Sequence, residues 1–309
     1  MRNAFAREIT RLAKGDERIV LLAADIGNKL FDDFKLKCPG RFFNCGVAEA
    51  NMIGMAAGMA LSGLRPVCYT IAPFITYRCL EQIRVDVCYH HVPVVLVGTG
   101  SGLAYASLGA THHSCEEMGM LRLLPHLAVV APGDSFEVTA ATRAAVGHAD
   151  PVYIRIGKKD EPVVHASEPP FAIGKAIRVR GGRDVCFLSN GAMLPVVIAA
   201  ADLLVKEGLS PEIHSFHTVK PLDETTLHDL FPRHRIVATV EEHGIAGGLG
   251  GSVAEWLADH PFPNAALLRF GTSGDFWHET GEQEHAREHF GLTAPAIAAR
   301  VKSALASVP

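Results

Sequence analysis

Apolar residues fall at helical spacing in the first segment (Phe5, Ile9, Leu12), stop at Lys14-Gly15-Asp16, and resume as a continuous run from Ile19 to Ala24. This predicts a helix, a turn and a buried strand. Beyond the turn Asp25-Ile26-Gly27, the stretch RFFNCGVAEANMIGMAAGMALSGLRPVCYTIAPF reads as a short strand, a turn, a helix and a second strand over Pro66 to Ile71. A helix from about Ile75 to Tyr89 and a β-branched strand from Pro93 to Val97 come next. After a Gly- and Ser-rich loop (Gly98 to His113), the pattern predicts a short helix from Cys115 to Leu124 and a strand from Leu127 to Ala131. A helix from Ser135 to Gly147 and a strand from Val152 to Ile156 close this unit. Strands separated by helices of this length imply a parallel sheet covered on both faces.

The composition turns polar and Pro-containing from Gly157 to Pro170 (GKKDEPVVHASEPP), which marks a boundary. A second unit of the same kind follows. Its expected strands are Asp184 to Ser189, Ser210 to Phe216, Arg235 to Val240 and Ala265 to Phe270; its expected helices are Met193 to Glu207, Asp223 to Leu230 and Gly248 to Leu257. The fold class is therefore α/β: two tandem doubly wound domains with mostly parallel sheets, spanning 1–160 and 173–309 with a linker over 161–172.

Composition agrees with this division. The 309 residues are 48% hydrophobic and 20% charged, enough apolar material for two cores. The formal charge of -4 is small for this length, which disfavours an electrostatic grip on nucleic acid. Met52 to Leu64 (MIGMAAGMALSGL) is the most apolar stretch and is far short of the ~20 residues a bilayer span requires, so a buried helix is expected there. Without a signal-peptide pattern at the amino terminus, a cytoplasmic location is expected. Seven cysteines lack CxxC spacing and read as reduced, mostly buried thiols.

Candidate chemistry is sparse. Two glycine clusters, Gly98 to Gly102 and Gly247 to Gly251, lack the dinucleotide-binding spacing, and no GxxxxGK[ST] occurs. The informative segment is Gly46-Val47-Ala48-Glu49-Ala50-Asn51, which sets one carboxylate at the head of an otherwise small and apolar helix. Two readings stand at this level: an acid favouring the positive end of the helix dipole, or a desolvated carboxyl aimed at a ring nitrogen of a bound heterocycle.

RFFNCGVAEANMIGMAAGMA, the strand end Thr70 to Phe74, the SLGATHH loop and the segments VKPLD and VEEHGIAGGLGGSVAE together resemble the carboxy-terminal half of transketolases and of 1-deoxyxylulose-5-phosphate synthase. The resemblance spans essentially the whole chain and is greatest to the small subunit of a split transketolase. It implies a thiamin diphosphate enzyme in which this chain supplies the pyrimidine-binding and C-terminal domains. The family's GDG...N motif, which holds the diphosphate through Mg2+ or Ca2+, is absent from the sequence. The implied partner is thus a separately encoded N-terminal transketolase subunit carrying that motif, in a two-plus-two heterotetramer.

Carried onto this chain, Glu49 is similar to the glutamate that bonds N1′ of the cofactor's aminopyrimidine. Phe74 and Tyr77 match aromatic positions against the pyrimidine, and Asp25 matches an acid that shapes the cofactor site. Thr111-His112 matches the family's Thr-His pair, with His112 implied to contact the donor's oxygen; His113 stands where the family usually has Gln. Arg2, Lys158 and Arg155 match positions implied to contact a substrate phosphate. Two departures leave the donor open: Leu108 replaces an aspartate that reads a donor hydroxyl, and Gly100 falls near a donor-contacting histidine. The competing expectations are the beta subunit of a 2-oxo acid dehydrogenase or a 1-deoxyxylulose-5-phosphate synthase-like enzyme, and a non-catalytic regulatory or scaffold subunit. His278, His285 and His289 read as a solvated face, and Glu241, Glu242 and His243 as structural or interface residues.

Overall fold

The computed structural model describes residues 1–27, 29–158 and 160–307. Twelve strands form two sheets. In the first half they are β1 (Ile19–Ala23), β2 (Phe42–Asn44), β3 (Arg65–Ile71), β4 (Val95–Thr99), β5 (Ala128–Val130) and β6 (Val152–Ile156). In the second half they are β7 (Ile177–Arg180), β8 (Val185–Ser189), β9 (Pro211–Ser215), β10 (Thr218–Lys220), β11 (Ile236–Gly244) and β12 (Ala266–Thr272). The sheets run β10-β5-β6-β4-β3-β1-β2 and β12-β11-β8-β9-β7. All pairings are parallel except those of the edge strands β10 and β7. This is the two-unit, mostly parallel α/β architecture that the spacing of apolar segments predicts.

β10 lies in the second half of the chain yet pairs with β5 at the edge of the first sheet. Three residues carry too little pattern to announce a strand, and β7 escaped the sequence pattern for the same reason. An apolar cluster accordingly runs from Leu22 and Ile53 through Leu96 to Leu188 and Phe216, so the two sheets share core packing.

Two local expectations need correction. The helix Glu49–Leu61 is buried at Glu49 and along Met52, Ile53, Ala56, Ala57 and Ala60, while Asn51, Met55, Gly58 and Leu61 are exposed on the other side. A uniformly apolar helix hides this asymmetry, because periodicity cannot separate a buried face from an uncovered apolar one. The expected helix over 75–89 is broken into an α-turn (Ala72–Thr76), a 3-10 turn (Tyr77–Cys79), a further α-turn (Leu80–Gln82) and a π-helical segment (Ile83–Tyr89). Thr76 Oγ1 donates to the Ala72 carbonyl at 2.7 Å and Cys79 Sγ reaches the Phe74 carbonyl at 3.4 Å, competing with the regular ladder.

All seven cysteines are free, and six are buried. No helix among the described residues is long and apolar enough to cross a membrane.

Candidate active site

The first sheet reverses its winding between β1 and β3, and in such sheets ligands sit beyond the carboxyl ends of the strands. The candidate residues from the sequence gather there: Asp25 after β1, Glu49 after β2, Phe74 and Tyr77 after β3, and Lys158 after β6.

Glu49 is only 2% exposed. It opens its helix, where the dipole favours a negative charge. The turn before it is held by Asn44, whose Oδ1 accepts the Gly46 N–H at 3.0 Å and whose Nδ2 donates to Asp25 Oδ1 at 2.9 Å. Asp25 adopts φ 48°, a conformation that short polar side chains tolerate. Arg78 Nη1 donates to Glu49 Oε2 at 2.7 Å, whereas Glu49 Oε1 makes no hydrogen bond among the described residues.

From Glu49 the contacts form one line. The Arg78 guanidinium lies 4.5 Å from the centre of the Phe74 ring, a cation–π contact. Phe74 meets His112 edge-on at 5.1 Å, and His112 meets Tyr105 at 6.0 Å. Lys158 Nζ sits 4.8 Å above the Tyr105 ring. Arg2 sets its charge against the Tyr69 and Tyr105 hydroxyls, and its buried Nε has no partner among the described residues. The chain thus brings a carboxylate, an imidazole, an aromatic wall and three cations to one rim.

The sequence did not single out Arg78 or Tyr105. A lone cation following Tyr77 in APFITYRCL was the available signal for the first. For Tyr105 it was Gly100: with φ +75° and a hypothetical Cβ only 1.9 Å from Tyr105 Cε2, position 100 must be glycine for the ring to lie where it does.

Other candidates have different surroundings. The Tyr77 hydroxyl donates to Glu116 Oε2 at 2.5 Å and accepts the Glu116 N–H at 3.2 Å; burial and the nearby Glu117 and Glu116 carboxylates push its pKa well up. His113 is buried, with Nε2 3.2 Å from the Ala106 carbonyl and its ring beside Trp277. Arg155 is 2% exposed, and its guanidinium is spent inside the chain. Nε pairs with Glu117, while Nη2 donates to the carbonyls of Ser114 (2.7 Å) and Glu242 (2.8 Å). These are partners of a structural arginine rather than those expected of a phosphate ligand. Leu108 is half exposed on the same loop. His285 and His289 lie exposed beside Glu279, as a solvated face predicts.

Burial, and secondarily the neighbouring His113, hold the His112 pKa below that of a free imidazole. Its Nδ1 lies 3.0 Å from Thr111 Oγ1. The lowered pKa favours the neutral imidazole, and NMR titration should place the His112 midpoint below that of a free histidine. Substituting His113→Asn should raise that midpoint without fully restoring it; a midpoint that falls would contradict the assignment of cause.

Two family models together match most of the chain. Residues 1–162 match the model "Transketolase, pyrimidine binding domain" and residues 174–297 the model "Transketolase, C-terminal domain". The chain belongs to the transketolase family. It is 34% identical to a putative transketolase C-terminal section of Methanocaldococcus jannaschii, covering 97% of this chain and 95% of that relative. It is 35% identical to a 6-deoxy-6-sulfo-D-fructose transketolase subunit of a Clostridium species, covering 96% and 92%. A solved split-gene transketolase, described as an inactive beta4 tetramer, superimposes with a TM-score of 0.91 at 32% identity over 100% of this chain and 99% of that one. The chain thus combines the pyrimidine-binding and C-terminal domains of that family.

Proposed function

We propose that this chain is the C-terminal subunit of a thiamin diphosphate-dependent transketolase, moving a two-carbon ketol unit from a ketose donor to an aldose acceptor. It works with a separately encoded subunit that binds the diphosphate, in a two-plus-two assembly. The observation that carries this reading is the continuous line from Glu49 through Arg78, Phe74 and His112 to Tyr105 and Lys158, set at the carboxyl ends of the parallel strands.

The residues fit the pyrimidine end of the cofactor. Glu49 offers a buried carboxyl whose Oε1 is unengaged among the described residues, and Phe74 offers an aromatic face against the Arg78 that pairs with it. When bound, thiamin diphosphate supplies the carbanion equivalent that cleavage beside a ketone needs. Glu49 holds or moves a proton at the pyrimidine nitrogen. Arg78 fixes the other carboxylate oxygen, so Glu49 is oriented before anything binds. His112, whose neutral form burial favours, offers Nε2 to a donor oxygen while Thr111 occupies Nδ1. Lys158 and Arg2 suit a terminal anion on the sugar, and one relative is named for a 6-sulfo sugar.

Several observations favour a partner. The sequence carries no GDG...N motif of the kind that in the family holds the diphosphate through a divalent ion, and in the proposed assembly that ion sits on the other subunit. Val47, just before the Glu49–Leu61 helix, is 75% exposed, Leu61 at the end of that helix is 64% exposed, and Gly58 opens to free space. Burying such a surface against another chain is favourable.

Assaying the reconstituted complex with xylulose 5-phosphate plus ribose 5-phosphate, and separately with pyruvate plus a dye acceptor, tests the reading. Turnover with the ketose and aldose is expected. Turnover with the ketoacid alone would favour the 2-oxo acid dehydrogenase reading, and none with either would favour a scaffold.

A further inference from the structure

The loop that carries Tyr105 and His112 is pinned at its base. Gly102 and Ser114 pair across it: the Gly102 N–H donates to Ser114 Oγ at 2.8 Å, and the Ser114 N–H donates to the Gly102 carbonyl at 2.9 Å. What fixes this base comes from the other domain. Glu242, at the end of β11 and 2% exposed, accepts the Leu103 N–H at 2.7 Å. The same carboxylate accepts from Arg287 Nε at 2.6 Å and from Gln283 Nε2 at 2.9 Å, two residues of the helix Gln283–His289. Arg155 completes the arrangement, donating at once to the Ser114 carbonyl on the far side of the loop and to the Glu242 main chain. Gly102 makes the approach feasible, since at φ +59° a Cβ there would lie 2.5 Å from Glu242 Oε1.

We infer that Glu242 is a positioning residue, through which the C-terminal domain sets the His112 loop for the donor. The proposal rests on the transketolase reading and deepens it, giving the second domain a role in the reaction. Three charge-assisted or backbone hydrogen bonds converge on one desolvated carboxylate, and groups in such a setting are strongly coupled. Glu49 stands on a different element, the helix after β2, and touches none of these groups. The clamp therefore affects what His112 does and leaves what Glu49 does unchanged. Misplacing a group by about 1 Å can cost on the order of 100-fold in rate.

The test uses the complex with its partner subunit and the variants Glu242→Ala and Gly102→Ala, the second pushing on the same contact from the loop side. Hydrogen–deuterium exchange should rise over residues 102–114 in both. Ketol transfer should fall at least tenfold, with kcat affected more than the KM for the acceptor, while exchange of the C2 proton of bound thiamin diphosphate stays within about twofold of wild type. Glu242→Gln, which keeps an acceptor for Leu103, should recover part of the transfer rate. Unchanged deuterium uptake over 102–114, or C2 exchange and transfer falling together with the melting temperature, overturns the proposal. A wild-type complex inactive in both reactions would overturn the transketolase reading instead, and the deuterium uptake would still decide whether Glu242 holds the loop.

Discussion

Glu49→Gln lowers turnover of the reconstituted complex by about 10²–10⁴-fold, the range that a positioned general acid–base group contributes. Glutamine retains the size of the side chain and an oxygen for Arg78, but it cannot exchange a proton with a ring nitrogen. The loss should therefore appear without unfolding, and it should appear equally in C2 proton exchange, which precedes any contact with sugar. Arg78 donates to Oε2, and among the described residues Oε1 is left for the pyrimidine nitrogen that the proposed reaction requires. A Glu49→Gln complex with unchanged C2 exchange would show that the proton is moved elsewhere.

Arg155→Ala produces the second large effect, on stability. Arg155 and Glu117 form an ion pair in which both side chains are at most 1% exposed. Removing the arginine leaves a buried carboxylate uncompensated and costs about 3–5 kcal/mol. For a protein of this size the melting temperature should fall by on the order of 10 °C, seen by calorimetry. Replacing both residues with apolar ones should recover part of the loss, since the paired charges are themselves expensive to bury. An Arg155→Ala variant that melts like wild type but has a raised KM only for phosphorylated donors would return Arg155 to the phosphate role its sequence position implies.

That contrast shows where sequence was informative. The α/β alternation was legible because strands buried on both faces are continuous apolar runs, and Ser135–Gly147 and Val152–Ile156 match the pattern to the residue. Glu49 stood out because a carboxylate among small apolar residues needs a reason. Arg155 and His113 were harder, because a cation near a strand end reads the same whether it points to the rim or into the core. The distinction is set by Glu117 and Trp277, which are distant in sequence and carry no local pattern. Glu242 read as a structural or interface residue for a related reason: its partners Leu103 and Arg287 lie 139 and 45 positions away. Tyr105 became meaningful only with Gly100, whose missing side chain makes room for the ring.

The most direct measurement follows the carbons. A ketose donor labelled with 13C at C1 and C2 is incubated with an unlabelled aldose, thiamin diphosphate, Mg2+ and the complex of this chain with its partner, and the products are analysed by NMR. The account predicts that both labels arrive together at C1 and C2 of the new ketose, and that this chain or the partner alone transfers none. Label released as carbon dioxide, label separated between two products, or full transfer by one subunit alone would contradict it.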